Sequence, residues 1–263
     1  MKSFKQFITE EKEKIIIPKV HMWAALLSGN DEQIEAALNS PNASKEHIDW
    51  AMKHEDSYVV VQALQSPHHT KEHLDWAMGH REPWVVQAAL DSPHHTKEHV
   101  DLGMKHSDAS VNIIALNSPH ATKEHVDLAM KHRSPRVVEL ALQSPHHTKE
   151  HVDLGMKHKS LRVVELALQS PHHTKEHVDL GMKHRNSAVA IAALDSPHHT
   201  KEHVDLGIKH EDLYVVAAAL QSQHATKEQI SDAINKFSGT WLAYEVQRIL
   251  DKRNNDDEES QEP

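Results

Sequence analysis

Cysteine is absent from this chain of 263 residues. That excludes disulfides, iron–sulfur clusters and thiol chemistry. Aromatic residues make up 4% and apolar residues 38%, low values for a single thick core. Glycine occurs only seven times, and no glycine-rich phosphate loop, zinc-protease His-Glu pattern or nucleophile elbow is present. The expectation is therefore no enzyme and no catalytic residue. No run of about 18 apolar residues appears, nor a charged-then-apolar leader. A soluble, cytoplasmic chain with no membrane partner is expected. The formal net charge is −10 with histidine neutral, which disfavours bulk binding to nucleic acid while leaving it open.

What the chain has is repetition. Ser40, Ser66, Ser92, Ser118, Ser144, Ser170, Ser196 and Ser222 open successive copies at intervals of 26 residues. A fixed period of this size signals stacked two-helix units, each burying its apolar face against its neighbours. The fold class expected is all-α, an α-solenoid of about eight such repeats over residues 40–236. In the copy at Ser144, Pro145 ends the preceding helix and Thr148 caps a first helix over 149–158. Ser160 caps a second over 161–169. Asp56, Glu82, Asp108, Ser134, Asn186 and Asp212 hold the corresponding cap, and Pro83 and Pro135 suit the first helical turn.

The flanks depart from the period. Residues 1–14 are read as a short amphipathic leader, with Phe4, Phe7 and Ile8 at helical spacing. Residues 15–39 form an N-terminal capping repeat, in which Gly29-Asn30 separates two helices. Residues 237–252 form a C-terminal capping helix from Trp241, and the acidic 253–263 reads as disordered tail.

A helical wheel for the first helix puts Lys149, Glu150, Asp153 and Lys157 on a solvated arc, with Lys149/Asp153 and Asp153/Lys157 as opposite charges four apart. Val152, Leu154, Gly155 and Met156 mark the rest, with His151 and His158 on that side. Glycine at 103, 155, 181 and 207 costs about 1 kcal/mol of helix propensity each, so a close helix crossing is expected there.

Histidine is the exceptional component: 27 residues, 26 of them at four positions of the repeat. Protonating them all would outweigh the net −10, so the charge changes sign in mild acid. The ladders of His151 and His158 are expected to pack between repeats and bond backbone carbonyls near helix ends. The loop ladders, represented by His146 and His147, allow a second reading. His147 and His151 are four apart, and imidazole suits zinc, copper or nickel. Against this, the set is copied with the repeat, and alanine replaces the loop partner at Ala43, Ala121 and Ala225. The favoured expectation is no cofactor and no assigned metal site.

The copies differ from each other mostly around the start of the second helix. There Arg133, Arg136, Lys159, Arg162 and Arg185 gather in the middle of the array, with Trp84 and Tyr214 on either side in sequence. Solenoids recognise partners by varying such ladders on a fixed frame. The patch suits an acidic protein segment or a phosphate backbone; a solvated rim that varies neutrally is the alternative.

Two resemblances bear on these readings. The pattern Asp/Ser-Pro-x-Val-Val-x-x-Ala-Leu-x-Ser-Pro-x-x-Thr-x-Glu-x over about residues 30–236 resembles the leucine-rich repeat variant family, a HEAT-like stack of short helices. Its period here is 26 where that family usually has 24, and the cysteine cluster of one family member has no counterpart. The start Met-Lys-x-Phe-x-x-Phe-Ile resembles the capsid-targeting leaders of internal head proteins in T-even-type phages. That resemblance implies cleavage after Ile8-Thr9-Glu10, with Glu10 the processing residue, and a place in host cytoplasm or virion interior. Together these give the expectation of a non-enzymatic helical-repeat scaffold that binds another macromolecule, most readily a protein. A histidine-rich metal- or pH-responsive binding protein stays open beside it.

Overall fold

The computed structural model describes residues 17–259, and among them every regular element is helical. A 3-10 turn, Lys19–His21, leads into α1 (Met22–Leu26) and α2 (Asp31–Leu38). First and second helices of the repeat then alternate: α3 (Lys45–Ala51), α4 (Ser57–Gln65), α5 (Lys71–Ala77), α6 (Pro83–Asp91), α7 (Lys97–Gly103), α8 (Ala109–Asn117) and α9 (Lys123–Ala129). They continue as α10 (Pro135–Gln143), α11 (Lys149–Gly155), α12 (Leu161–Gln169), α13 (Lys175–Met182), α14 (Ser187–Leu194), α15 (Lys201–Gly207), α16 (Leu213–Gln221), α17 (Lys227–Lys236) and α18 (Trp241–Glu259). The chain is a stack of helical repeats, as the period predicts. It divides into two compact units, one ending at His125 and one beginning at Val126, within α9.

Helices of seven to nine residues are too short to stand alone, since isolated helices below about 12–15 residues are marginal in water. Packing holds them. In the first unit the second helices pack serially, α2 on α4, α4 on α6 and α6 on α8. In the second unit α10, α12, α14, α16 and α18 do the same. Val163, Val164, Ala167 and Leu168 of α12 are buried, as are their counterparts along the stack. Fully burying a valine or leucine contributes about 1.5–3 kcal/mol. The close crossing expected at glycine is present: a Cβ on Gly155 would lie 3.0 Å from both Ala167 Cβ and Leu142 Cδ1. Gly29 breaks the capping repeat between α1 and α2 at φ 69°, a left-handed conformation that glycine adopts without strain.

Several sequence expectations change. First helices stop at Gly155 and its equivalents, three residues before His158, except α13, which continues to Met182, and α17, which continues to Lys236. The histidine that follows is spent on the next helix's cap, described below. Asp56, Asp108, Asn186 and Asp212 accept a backbone N–H as caps, whereas Glu82, Ser134 and Ser160 make no such bond. The segment read as tail from 253 is helical as far as Glu259. Arg253 explains the start of that extension, because its guanidinium donates to the carbonyls of Ser222 and Ala225. The leader 1–14, with its cleavage residue Glu10, lies outside the described residues. No helix among those described is long and apolar enough to cross a membrane.

Candidate functional site

Two surfaces compete for function: the histidine loops and the varying rim of the second helices. The nitrogens of the histidines are accounted for atom by atom. His151 is buried at the third position of α11, where its Nδ1 accepts the backbone N–H of Thr148 at 2.9 Å. A nitrogen that accepts carries no proton, so Nε2 holds it and donates to Asp127 Oδ1 at 2.6 Å. The same pair recurs from Asp49–His73 to Asp179–His203, at 2.6–2.8 Å. In the last repeat glutamine takes the place of histidine. Gln229 Oε1 accepts from Thr226 N, and its Nε2 donates to Asp205 at 2.6 Å. An amide offers one acceptor and one donor and cannot be charged here, so it reproduces a neutral imidazole. These histidines are neutral clamps between repeats. The carbonyl contacts expected for them are not made.

The aspartates are held on the other side by lysine. Asp179 accepts from Lys175 of its own helix at 3.1 Å as well as from His203. The bonds from His203 and then Lys175 hold its carboxyl below the usual range. Asp153 uses Lys149 and His177 in the same way. The expected Asp153/Lys157 pair is therefore absent: Lys157 is exposed and has no ion-pair partner among the described residues.

The ladder of His158 also corrects the sequence reading. Its Nδ1 accepts the N–H of Ser160, the cap residue of α12, at 3.0 Å. The equivalents from His54 to His210 do likewise at 2.9–3.1 Å. The backbone carbonyl falls instead to the loop histidines. His147 Nδ1–H donates to Ser144 O at 2.6 Å, and its Nε2 accepts from Ser170 Oγ at 2.7 Å. Its ring also meets that of His172 edge-on, 4.8 Å between centroids. Burial pushes the imidazoles of His69, His147 and His173 below the ordinary histidine value.

His147 and His151 each have both ring nitrogens engaged, so ligating through either would break a repeat-to-repeat bond or a helix cap. His146 is exposed. Among the described residues no group of three or more histidine, cysteine or carboxylate side chains is placed to hold an ion.

The rim is built differently. Arg136 and Arg162 occupy the second position of α10 and α12, which pack together. Each is exposed and touches one glutamate of its own helix, Glu139 at 3.2 Å and Glu165 at 3.4 Å. Arg133, Lys159 and Arg185 lie just before the caps of α10, α12 and α14, are exposed, and have no ion-pair partner among the described residues. All five cations belong to the second unit. Glu165 also lines a surface groove of about 450 Å³ between α12 and α14.

The two aromatics expected beside them fall in different units. Tyr214 in the second unit is 66% exposed, and its ring lies 5.0 Å from that of Trp241. Trp84 is in the first unit, 52% exposed, at a groove of about 620 Å³ between α4 and α6.

One exposed feature escaped the wheel. Leu128, Leu154, Leu180 and Leu206, placed with the apolar arc, are 45–52% exposed. The 26-residue period itself could have found them, because all four occupy one position of the repeat. No protein-family model matches the chain, and no curated protein matches it.

Proposed function

We propose that this chain is a non-enzymatic scaffold whose second unit captures an acidic segment of a protein partner on the rim formed by α10, α12 and α14. The observation that carries the reading is that cations gather there while the acidic cap residue is lost; Arg81 stands at the same position in the first unit, but Glu82 remains beside it at 3.3 Å. Around the second-helix cap, residues 55–58 read Glu-Asp-Ser-Tyr and residues 211–214 read Glu-Asp-Leu-Tyr. The corresponding residues 133–136 and 159–162 read Arg-Ser-Pro-Arg and Lys-Ser-Leu-Arg, and 185–188 read Arg-Asn-Ser-Ala. The acidic cap is lost from the same three copies in which cations gather.

The change works against folding. The N-terminus of a helix carries partial positive charge and is stabilised by anions, by about 0.3–1 kcal/mol per charge. Arginine at the second position of two packed helices forgoes that gain. An incoming carboxylate restores it, meeting the unpaired backbone N–H groups as well as the guanidinium forks. The chain's net −10 disfavours a long nucleic-acid backbone, which extends past the rim, more than a short acidic segment that fits within it.

Binding of a fluorescein-labelled poly-glutamate peptide, followed by anisotropy, tests this. Saturable binding that weakens with salt and is lost in Arg136→Glu/Arg162→Glu supports the rim. Equal binding by the charge-reversed chain contradicts it. The resemblance of residues 1–10 to phage head leaders supports packaging in a capsid as the setting. Virion-derived protein beginning at Glu11 would agree with that setting, and an intact Met1 in purified particles would remove it.

A further inference from the structure

We propose that the first-helix face of the second unit is a homotypic interface, on which a second copy of this chain docks face to face. The face is defined by the half-exposed row Leu128, Leu154, Leu180 and Leu206. Each leucine directly follows an aspartate, and the clamps His151–Asp127, His177–Asp153 and His203–Asp179 fix the offset between successive first helices. The leucines therefore recur at a regular offset, one per first helix.

Charges flank the row in a fixed order. A glutamate lies four residues before each leucine, and a lysine three after it. That spacing puts all three on one helix face. The turn that carries the lysine stays helical in sense, because Lys157 N–H bonds Leu154 O at 3.1 Å. On the acidic side, Glu176 takes the Thr174 hydroxyl and feels Lys149 nearby. On the basic side, Lys131, Lys157, Lys183 and Lys209 are exposed and have no ion-pair partner among the described residues. An apolar row beside an unpaired cationic row is an incomplete surface.

A second copy completes it. A two-fold axis along the stacking direction reverses the first helices, so leucine meets leucine, each glutamate row meets the other copy's lysine row, and helix dipoles run antiparallel. Register follows without further design, because a second copy carries the same 26-residue period. The lysines and acids of each first-helix segment also cancel, so the face is neutral on a chain of net −10. A neutral face lowers the net repulsion that two such chains must overcome to approach. A stable interface needs roughly 800 Å² per partner. The leucines alone fall short of that, so the charged rows lie inside the contact, where a mismatch of sign is costly.

The test is sedimentation velocity of the full chain across a wide concentration range, with far-UV circular dichroism to confirm that each variant is folded. The proposal expects concentration-dependent dimerisation, lost in Leu154→Glu/Leu180→Glu. Lys157→Glu/Lys183→Glu and Glu150→Lys/Glu176→Lys should each weaken self-association about tenfold or more. Mixing these two charge variants should restore the dimer, because every facing pair is again opposite in sign. A wild-type chain that stays monomeric throughout overturns the proposal. So does a dimer indifferent to these substitutions, or a mixture that stays monomeric.

Discussion

Replacing His151 with alanine and, separately, with glutamine asks whether the buried histidines act as neutral clamps. Alanine removes the bond to Asp127 and the cap on Thr148, and leaves a hole at a residue only 1% exposed. A hydrogen bond to a charged group contributes about 1.5–3 kcal/mol, and a cap about 1 kcal/mol. With the cavity added, the expected loss is about 3–5 kcal/mol. Glutamine keeps one acceptor and one donor, and Gln229 already bridges Thr226 to Asp205 in the last repeat. His151→Gln should therefore lose about 1 kcal/mol or less. Urea unfolding followed by circular dichroism reads both, with midpoints compared at constant slope. Glutamine as damaging as alanine would refute the reasoning, because it would mean that shape or charge, and not the donor–acceptor pair, decides the site.

Three further outcomes are expected. His69, His147 and His173 are held neutral by burial, so the unfolded chain takes up protons first as pH falls. Their contribution is full above about pH 6.5 and is lost as pH drops below it. The aspartates Asp49, Asp101 and Asp179, held low by histidine and lysine, add their loss only below about pH 4. A thermal midpoint that stays flat between pH 7 and pH 5 would contradict the histidine part. Asn112 is buried where other copies carry valine or alanine, and its Oδ1 has no partner. Asn112→Val should stabilise by about 1 kcal/mol despite losing the bonds to Gly103 O and His106 O, since the other copies manage without them; a lower midpoint in urea would count against this. Finally, Arg136→Glu should leave stability within about 0.5 kcal/mol, because the dipole gain offsets loss of an exposed i,i+3 pair. A large destabilisation would make Arg136 a structural residue instead of a recognition one.

The period made most of the fold legible. Eight serines at constant spacing, with caps and prolines in step, predict the alternation of helices, and the glycine at 155 predicts a close crossing. The wheel of one helix had less to say, because it does not show which arc meets the next repeat. Asp153 lies on the solvated arc of its own helix, yet it receives His177 from the neighbour, 24 residues away. That offset is two short of the period and is set by how the units stack. Leu154 was misplaced for the same reason. The C-terminal extension was hidden in composition: residues 253–259 are polar, and only the stack supplies the carbonyls that Arg253 takes. At the rim, the charge reversal was visible by comparing copies. The conflict between those arginines and their helix N-termini emerges only once α10 and α12 have defined ends.

Hydrogen–deuterium exchange of the full chain, with and without poly-glutamate peptide, tests the central claim most directly. The first backbone N–H groups of a helix have no intrahelical partner, so at a rim they exchange fast and report a ligand that covers them. The account predicts slowed exchange over the starts of α10, α12 and α14, and no change at the corresponding starts of α4 and α16. Protection confined to the histidine loops, or spread evenly over all second helices, would contradict it.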